Sequence, residues 1–537
     1  MRSRPFAFVL AALVALGLSV PTFAAPATKP GDPVVEVTPA IQQDTSAQPL
    51  SEMTGFAPAS PDEEKEKKEK PLRLLPGHGV GTNPDDGALQ TQGGPAVATS
   101  NVLNFDGLGN GISGFNLQYA PPDTVGAVGA TQYVQWVNAM FAVYDKATGV
   151  IVSGFPKYGN ALWQGFGGGC ETNNDGDPIV QYDKAAQRWI MTQFSVSTTP
   201  YLQCVAVSTS PDATGTYYRY AFSYGNTQFN DYPKLGVWPD GYYITYNIFN
   251  NASTFAGSKV CAFDRAKMLT GAPATQQCFQ LSSSYGGLLP SDVDGSAAPP
   301  VGSPNYMLSL GTTSSLYMWK FHVDWSTPAN TTLSGPTSIP VAAYTEACSG
   351  GTCITQPGTS QKLDSLADRL MYRLAYRNRG GTESLVVTHS VRAGGNNKRN
   401  IYSGVRWYEL RIVNTNASLY QQGTFSPDTA NRWMGSIAMD KVGNIALGYS
   451  VSSGSVYPGV RYTGRAPTDA LGTMQAESVI VNGSGSQTQN LSRWGDYSAM
   501  TIDPADDCTF WYTQEYIKTS GTFRWNTRIA SFKFPSC

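Results

Sequence analysis

Short apolar stretches recur from about residue 100 to the end of the chain, and turns separate them in a repeating pattern. In each repeat a charged residue near a Pro or Gly precedes an apolar strand, and a turn with Asp, Gly or Pro leads to a second strand rich in aromatic residues. The opening residues of the seven copies are Asp123, Asp177, Asp231, Asp292, Arg369, Arg432 and Arg493. This pattern predicts an all-β fold, a single seven-bladed β-propeller of four-stranded antiparallel blades over residues 101–537.

The two ends of this region are predicted to lie in one sheet. Residues 524–534 alternate polar and apolar positions as a strand does, and Val102–Phe105 is a short apolar strand at the other end. Pairing them would close the ring and remove exposed strand edges.

The first hundred residues differ from the repeats. Residues 1–24 have a basic start, an apolar run and small residues at their end, which predicts a secretory signal peptide. Residues 25–100 are rich in Pro, Ala and Thr and contain a mixed-charge run over 62–70, which predicts a disordered linker. The protein is therefore expected in the periplasm, at the cell surface or outside the cell.

Composition argues against two classes of interaction, with nucleic acid and with the interior of a membrane. A net charge of −2 argues against nucleic acid, and after the signal peptide no apolar stretch approaches the length of a membrane span. A soluble monomer is expected. The absence of metalloprotease, nucleotide-binding and serine-hydrolase motifs leaves few standard chemistries.

Eight cysteines lie in the repeat region, an even number that predicts four disulfides in an exported chain. Sequence does not determine the connectivity. We favour nearest-neighbour pairing, which is Cys170–Cys204, Cys261–Cys278, Cys348–Cys353 and Cys508–Cys537.

The opening residues of the repeats are the main candidates for a functional site, because a propeller brings equivalent positions together around a central channel. We predict Asp123, Asp177 and Asp231 as catalytic carboxylates. Substrate-binding roles are predicted for Arg369, Arg373, Arg432, Arg493, Asp496 and Trp494. Carboxylates around a sugar ring can act as acid, base or nucleophile, and clustered arginines bind acidic groups.

Two further candidates come from single segments. His389, one of three histidines, is a possible proton-transfer group in a strand next to the one that carries Arg373. Asp175 and Asp177, and likewise Asp292 and Asp294, are oxygen ligands at alternate positions that suit Ca²⁺. No other cofactor is predicted.

Each of these residues also has a structural interpretation. Asp before Pro or Gly is common turn chemistry, Arg before Trp can stack between blades, and a histidine can be a hydrogen-bonded core residue. Two or three functional residues among the seven opening positions is the expected outcome.

Several motifs resemble known propellers. Ser208–Tyr218 is similar to the Asp-box turn of sialidase-like propellers, which ties two outer strands together. The segments Pro121–Gly129, Arg493–Met500 and Asp506–Tyr512 resemble a group of exported bacterial β-propeller proteins of unassigned activity. The Arg-Ile-Pro motif of sialidases is missing, so no catalytic residue follows from that likeness.

Two functions fit these observations. The first is an exported carbohydrate-active enzyme, a glycoside hydrolase or lyase that acts on acidic polysaccharide. The alternative is a non-catalytic surface or extracellular module that binds a glycan or protein in adhesion. Propellers host both, so the fold alone does not choose between them.

Overall fold

The computed structural model of the protein describes residues 34–54, 65–66, 72, 86–116, 119–395 and 401–537. The predicted signal peptide lies outside these residues, as do parts of the predicted linker. Before the repeats the described chain forms six short strands. They are β1 (Glu36–Pro39), β2 (Gln42–Thr45), β3 (Lys65–Glu66), β4 (Leu89–Gln90), β5 (Ser100–Asp106) and β6 (Tyr119–Ala120).

The repeat region folds into consecutive antiparallel units, here named the first to the seventh sheet. The first sheet contains β7 (Val125–Val128), β8 (Gln132–Val137), β9 (Met140–Asp145) and β10 (Lys157–Tyr158). The second contains β11 (Ile179–Asp183), β12 (Arg188–Ser195), β13 (Leu202–Ser208) and β14 (Tyr217–Ser223). The third contains β15 (Gln228–Trp238), β16 (Gly241–Asn250), β17 (Thr254–Phe263) and β18 (Thr275–Gln280). The fourth contains β19 (Leu289–Asp294), β20 (Asn305–Leu310), β21 (Ser315–His322) and β22 (Thr332–Pro340).

The short strands β23 (Thr352–Ile354) and β24 (Leu363–Asp364) pair with each other between the fourth and fifth sheets. The fifth sheet contains β25 (Met371–Arg379), β26 (Thr382–Gly394), β27 (Tyr402–Val413) and β28 (Asn416–Phe425). The sixth contains β29 (Asn431–Met439), β30 (Ile445–Ser452), β31 (Gly459–Arg465) and β32 (Ser478–Val481). The seventh contains β33 (Ala499–Ile502), β34 (Phe510–Ile517) and β35 (Trp525–Lys533). Helices are few and short, namely α1 (Gly168–Thr172), α2 (Arg265–Met268) and single 3₁₀ turns at Leu50–Glu52, Gly159–Trp163, Pro328–Asn330 and Ala347–Gly350.

The first strand of each sheet packs against the first strand of the next. These contacts run from β7 through β11, β15, β19, β25 and β29 to β33, and β33 in turn packs against β7. Between the fourth and fifth sheets the contact is tighter, because β19 and β25 form a parallel ladder that joins the two sheets. The prediction of an all-β, propeller-like fold is confirmed.

The core lies between neighbouring sheets, where aromatic side chains meet. Phe222 of the second sheet stacks on Phe263 of the third at 4.5 Å between ring centroids, and Trp433 of the sixth sheet lies 5.5 Å from Trp494. Tyr133 and Trp511, on the second strands of the first and seventh sheets, likewise stack at 5.2 Å between ring centroids. They fill the space between two sheets and contribute burial and aromatic contacts.

Two sequence predictions about closure and cross-links are confirmed. Strand β5 pairs antiparallel with β35, with Phe105 opposite Ile529 and Leu103 opposite Ser531, so the seventh sheet contains strands from both ends of the repeat region. The four disulfides follow the nearest-neighbour pairing, and the last one joins Cys508 to the terminal Cys537.

The prediction of a wholly disordered linker is wrong for residues 34–54 and 86–100. Strand β1 extends the third sheet beside β18, β2 extends the second beside β14, and β4 pairs in parallel with β28. Asp44 forms an ion pair with the buried Arg219 at 2.6 Å, and Leu50 is fully buried. Composition did not reveal this, since free sheet edges supply the hydrogen bonds and the apolar contacts that the segment lacks by itself.

This arrangement predicts that the segment holding β1 and β2 stays bound after the chain is cut. An engineered protease site within residues 55–64 should, when cleaved, give two fragments that co-elute in size-exclusion chromatography. The strand pairing, the Asp44–Arg219 ion pair and buried Leu50 hold the smaller piece. As a control, the same cleavage in 6 M urea should separate the fragments, and release without urea would contradict the pairing.

Candidate functional site

Several inner strands have a residue in the left-handed backbone region shortly before the strand or in its first half. The values of φ are 49° at Asp123, 47° at Asp177, 56° at Tyr232, 53° at Met434 and 60° at Asp496. In the fourth sheet the corresponding position is Gly287, at φ 62°. Asp tolerates this region, but a bulky Tyr or Met adopts it only where the surroundings hold it, and such positions concentrate at functional sites.

Near these residues lies Lys234, a fully buried lysine in the second half of β15. Its side chain is 0% exposed, and its Nζ lies 3.3 Å from the ring centroid of Tyr232 and 3.8 Å from that of Tyr497. Nζ also donates a hydrogen bond to the carbonyl oxygen of Pro233 at 2.9 Å. A register shift in the β15–β16 pairing between Asp231 and Lys234 accompanies this local geometry.

Three carboxylates act on this ammonium group. Burial lowers the pKa of Lys234 to about 7, although the charges of Asp177, Asp123 and Asp496 oppose that shift. Asp177 accepts a hydrogen bond from the backbone N–H of Tyr232 at 3.2 Å. We name Lys234, Asp123, Asp177, Asp496, Tyr232 and Tyr497 the Lys234 cluster.

Asp496 is the member of the Lys234 cluster that solvent reaches best, with 14% of its side chain exposed. Burial raises the pKa of Asp496, although the charges of Arg493 and Arg369 act to lower it. Nearby Glu515 accepts a hydrogen bond from the N–H of Gly495 at 2.7 Å, and burial raises the pKa of Glu515 well above its usual range. The cluster thus combines carboxyl groups that favour the protonated form with carboxylates around a lysine.

Two of the predicted arginines border this cluster, and each has an acidic partner. Arg493 binds Asp496 at 2.5 Å and Asp364 at 3.1 Å. Arg369 binds Asp368 at 2.7 Å, and its guanidinium lies 4.6 Å from the ring centroid of Tyr232. Because Asp364 pairs with Arg493 and Asp368 pairs with Arg369, both arginines have an acidic partner outside the Lys234 cluster.

Arg373, Asp292 and Asp294 form a separate buried network. Arg373 Nε binds Asp292 at 2.6 Å and Nη2 binds Asp294 at 2.7 Å, and the three side chains are at most 2% exposed. Burial alone would raise the pKa of Asp294, but the charges of Arg373 and Lys184 lower it to about 2. The ion pairs link the fourth and fifth sheets, so the expected channel-facing role does not fit these residues.

The position of Asp292 also corrects the repeat phase. It lies near the end of β19 instead of before it, while Gly287 occupies the place equivalent to Asp177 and Tyr232. A Pro-Ser-Asp sequence in the strand imitated the opening signal. Asp292 therefore meets the neighbouring sheet, where Arg373 neutralises it.

Arg432, Trp494 and His389 are buried, and their side chains have partners outside the Lys234 cluster. Arg432 is fully buried and binds Glu477 at 2.9 Å and Asp428 at 2.8 Å, which ties β29 to the segment before β32. Trp494 donates its indole N–H to Ser450 at 3.0 Å, and it is fully buried. His389 is also buried, and its Nε2 lies 2.9 Å from the hydroxyl of Tyr408. These contacts favour the structural interpretation of the three residues.

The predicted calcium ligands have other partners. Asp175 accepts hydrogen bonds from the N–H groups of Val196 and Ser197 at 2.6 and 2.8 Å, and Asp177 belongs to the Lys234 cluster. Asp231, predicted as a catalytic carboxylate, is half-buried and directly precedes Tyr232. In the pairing of β15 with β16 it lies opposite Asn247. In the described part of the chain no three His, Cys, Asp or Glu side chains form a metal-binding group. Calcium binding stays a prediction.

Sequence reasoning missed Lys234, Tyr497 and Glu515. A lysine in the apolar run after Pro233 was the available signal for Lys234, because a charged residue in a buried strand needs partners. Glu515 in the apolar β34 carried the same signal. Tyr497 and the three carboxylates near Lys234 belong to other sheets, which spacing along the chain does not reveal.

Comparisons with known proteins give distant structural likenesses only. No protein-family model matches the sequence, and no curated protein matches it. Among solved structures, the chain is similar to an exo-β-1,3-galactanase from Clostridium thermocellum (12% identity, 66% of this chain and 81% of that chain, TM-score 0.29). It is also similar to an α-L-arabinofuranosidase from Lactobacillus brevis (10%, 66% and 89%, TM-score 0.28) and to a protein of unknown function from Dyadobacter fermentans (9%, 81% and 99%, TM-score 0.24).

These TM-scores are too low to carry an argument about activity. In the described residues, no helix has the length and apolar character that a membrane crossing needs.

Proposed function

We propose that this protein is an exported carbohydrate-active propeller, and that it hydrolyses glycosidic bonds at the Lys234 cluster. In this proposal the seven sheets are seven blades, the signal peptide directs export, and the chain works as a monomer. The observation that carries the proposal is Asp496, whose side chain is 14% exposed and whose pKa is raised by burial, beside Asp123, Asp177 and Lys234. Carboxyl groups in contrasting environments are what acid–base hydrolysis of a glycoside requires.

In the proposed mechanism Asp496 donates the proton. Its raised pKa keeps it protonated at a pH where an ordinary aspartate is ionised, so it can protonate the leaving oxygen. Asp123 or Asp177 then acts as base or nucleophile on the opposite side of the sugar. Lys234 holds these carboxylates near each other, since its charge offsets their mutual repulsion.

The ion pairs of Arg369 and Arg493 change the class of substrate that we propose. An acidic sugar would have to compete with Asp368, Asp364 and Asp496 for these guanidinium groups. A neutral glycan needs no such exchange. We therefore propose a neutral polysaccharide or oligosaccharide as the substrate, in place of the acidic one suggested by the arginines alone.

A second function follows from the pKa of Lys234. A lysine with a pKa of about 7 is partly neutral at pH 7 and can accept a proton, which is the base required by a lyase. A lyase would release an unsaturated sugar without adding water. A non-catalytic glycan-binding module is the third outcome, because the same cluster can bind without turnover.

One experiment separates these outcomes. The secreted protein is applied to a glycan array and to a panel of neutral and acidic polysaccharides, with assays for new reducing ends and for unsaturated products. Hydrolysis predicts reducing ends without unsaturation, and elimination predicts both. Binding without either product would establish a binding module and contradict the catalytic proposal.

A further inference from the structure

A cavity lies at the end of the inner strands opposite the Lys234 cluster. It has a volume of about 410 Å³, and the turns that follow β11, β15, β19 and β33 surround it. Lys234 and the cavity-lining Trp238 are four residues apart on β15, which corresponds to about 13 Å along a strand. The cavity is therefore distinct from the Lys234 cluster, and its volume falls in the lower range of small-molecule sites.

The walls of this cavity are mainly apolar. Tyr182, Val237, Trp238, Val293 and Pro504 line it. Tyr182 and Trp238 are held by the surrounding packing and are only 4% and 1% exposed, so the half-buried Val293 and Pro504 form more of the apolar wall. Such walls favour a ligand with a flat or ring-shaped apolar face.

Charged groups at the cavity are neutralised in pairs. Asp183 binds Arg265 at 2.7 Å and accepts a hydrogen bond from the Tyr242 hydroxyl at 2.9 Å. Lys184 binds Asp294 at 2.9 Å, and Asp507 binds Arg377 at 2.6 Å. A charged ligand would have to break one of these pairs, so the cavity selects an uncharged ligand.

Hydrogen-bonding capacity nevertheless remains. Lys184 uses two of its three N–H groups, toward Val293 O and Asp294 Oδ1. Asp294 Oδ2 and Arg377 Nη2 are buried without a hydrogen-bond partner in the described residues. A Cβ at the cavity-lining Gly295 would lie 2.1 Å from Arg377 Nη1, so the absence of a side chain there leaves Arg377 next to the cavity. Unpaired buried polar atoms are costly unless a ligand or water completes them.

We propose that this cavity is a second binding site, and that it takes one uncharged sugar unit. A sugar ring offers an apolar face to the part of the wall that includes Val293 and Pro504, while its hydroxyl groups both donate and accept hydrogen bonds. One hydroxyl can therefore pair with the spare N–H of the cavity-lining Lys184. The site does not depend on the proposed hydrolysis, since the sugar would bind there without turnover.

The test is binding of neutral mono- and disaccharides to the full secreted protein, measured by calorimetry or saturation-transfer NMR. We expect dissociation constants near the millimolar range for at least one sugar. Ala505→Trp adds bulk at the cavity lining and should weaken binding tenfold or more. Lys184→Met, which removes the spare N–H, should also weaken it. Ala147→Trp, in an exposed turn of the first sheet outside the cavity, should bind as the wild type does.

Further arms separate this site from the Lys234 cluster. Asp496→Asn should leave sugar binding at the cavity unchanged even if it abolishes hydrolysis. The proposal is overturned if no neutral sugar binds, if Ala505→Trp binds normally, or if only Asp496→Asn loses binding. Preferential binding of a uronic acid, or of an aromatic compound without hydroxyls, would also overturn the proposed ligand class.

Discussion

Replacing Arg373 by Met should lower the free energy of unfolding by about 3–5 kcal/mol, because two buried carboxylates would lose their partner. Arg373 binds Asp292 and Asp294 at 2.6 and 2.7 Å and donates to the carbonyl of Met500 at 2.5 Å. Equilibrium unfolding in urea, followed by tryptophan fluorescence, measures the loss.

The matched control is Arg528→Met, since Arg528 binds Asp106 at 2.7 Å nearer the surface. A partly exposed pair of this kind should contribute under about 1 kcal/mol. Equal decreases in the free energy of unfolding for the two variants would show that burial does not strengthen the contribution of the Arg373 ion pairs to stability. A loss below about 1 kcal/mol at Arg373 would return this residue to the list of ligand-binding candidates.

Replacing Lys234 by Met should remove a rise in stability between about pH 7 and pH 10. Burial lowers the pKa of Lys234 from 10.5 in the unfolded chain to about 7 in the folded protein. In this window the unfolded chain binds more protons, so the free energy of unfolding increases with pH, and the increase is complete near the unfolded pKa. The full difference is on the order of 4 kcal/mol.

The variant lacks the titrating group, so its unfolding free energy should rise less over the same window. Lys518→Met serves as the control, because that lysine is 42% exposed on its side chain and should not alter the slope. The comparison uses urea unfolding at several pH values from 6 to 10. Parallel curves for wild type and Lys234→Met would contradict the lowered pKa and the buried position of the ammonium group.

Local sequence signals identified the parts of the fold that depend on neighbours in the chain. The four disulfides join successive cysteines, and the strand at residues 524–534 has the alternation of an edge-paired strand, so both were predictable. The pairing of β1 and β2 was not, since those strands have little apolar character and draw their stability from the edges they extend. The charge and proline content of that segment gave no information about the strands β14 and β18 with which it pairs.

The candidate site was predictable only in part, because some of its contacts follow from the repeat pattern and others depend on distant parts of the chain. Asp123, Asp177 and Asp496 are aspartates before an inner strand, and repeat spacing predicts them as neighbours. In the structure the charges of all three act on Lys234, and their catalytic and binding roles stay predictions. Arg373 and Arg432 follow the same sequence pattern, but they are fully buried and form ion pairs with carboxylates outside the Lys234 cluster. Which arginines border the cluster depends on contacts within and between sheets, and a single sequence does not reveal these contacts.

The most direct test of the central claim is turnover of a glycan substrate by Asp496→Asn. The amide has nearly the shape of the carboxyl group but cannot donate the proton, so kcat should fall by about 100- to 10,000-fold. Glycan binding and the free energy of unfolding should change little, and the exposed Asp145→Asn should react as the wild type does. Wild-type turnover by Asp496→Asn would contradict the assignment of the Lys234 cluster as the acid–base site.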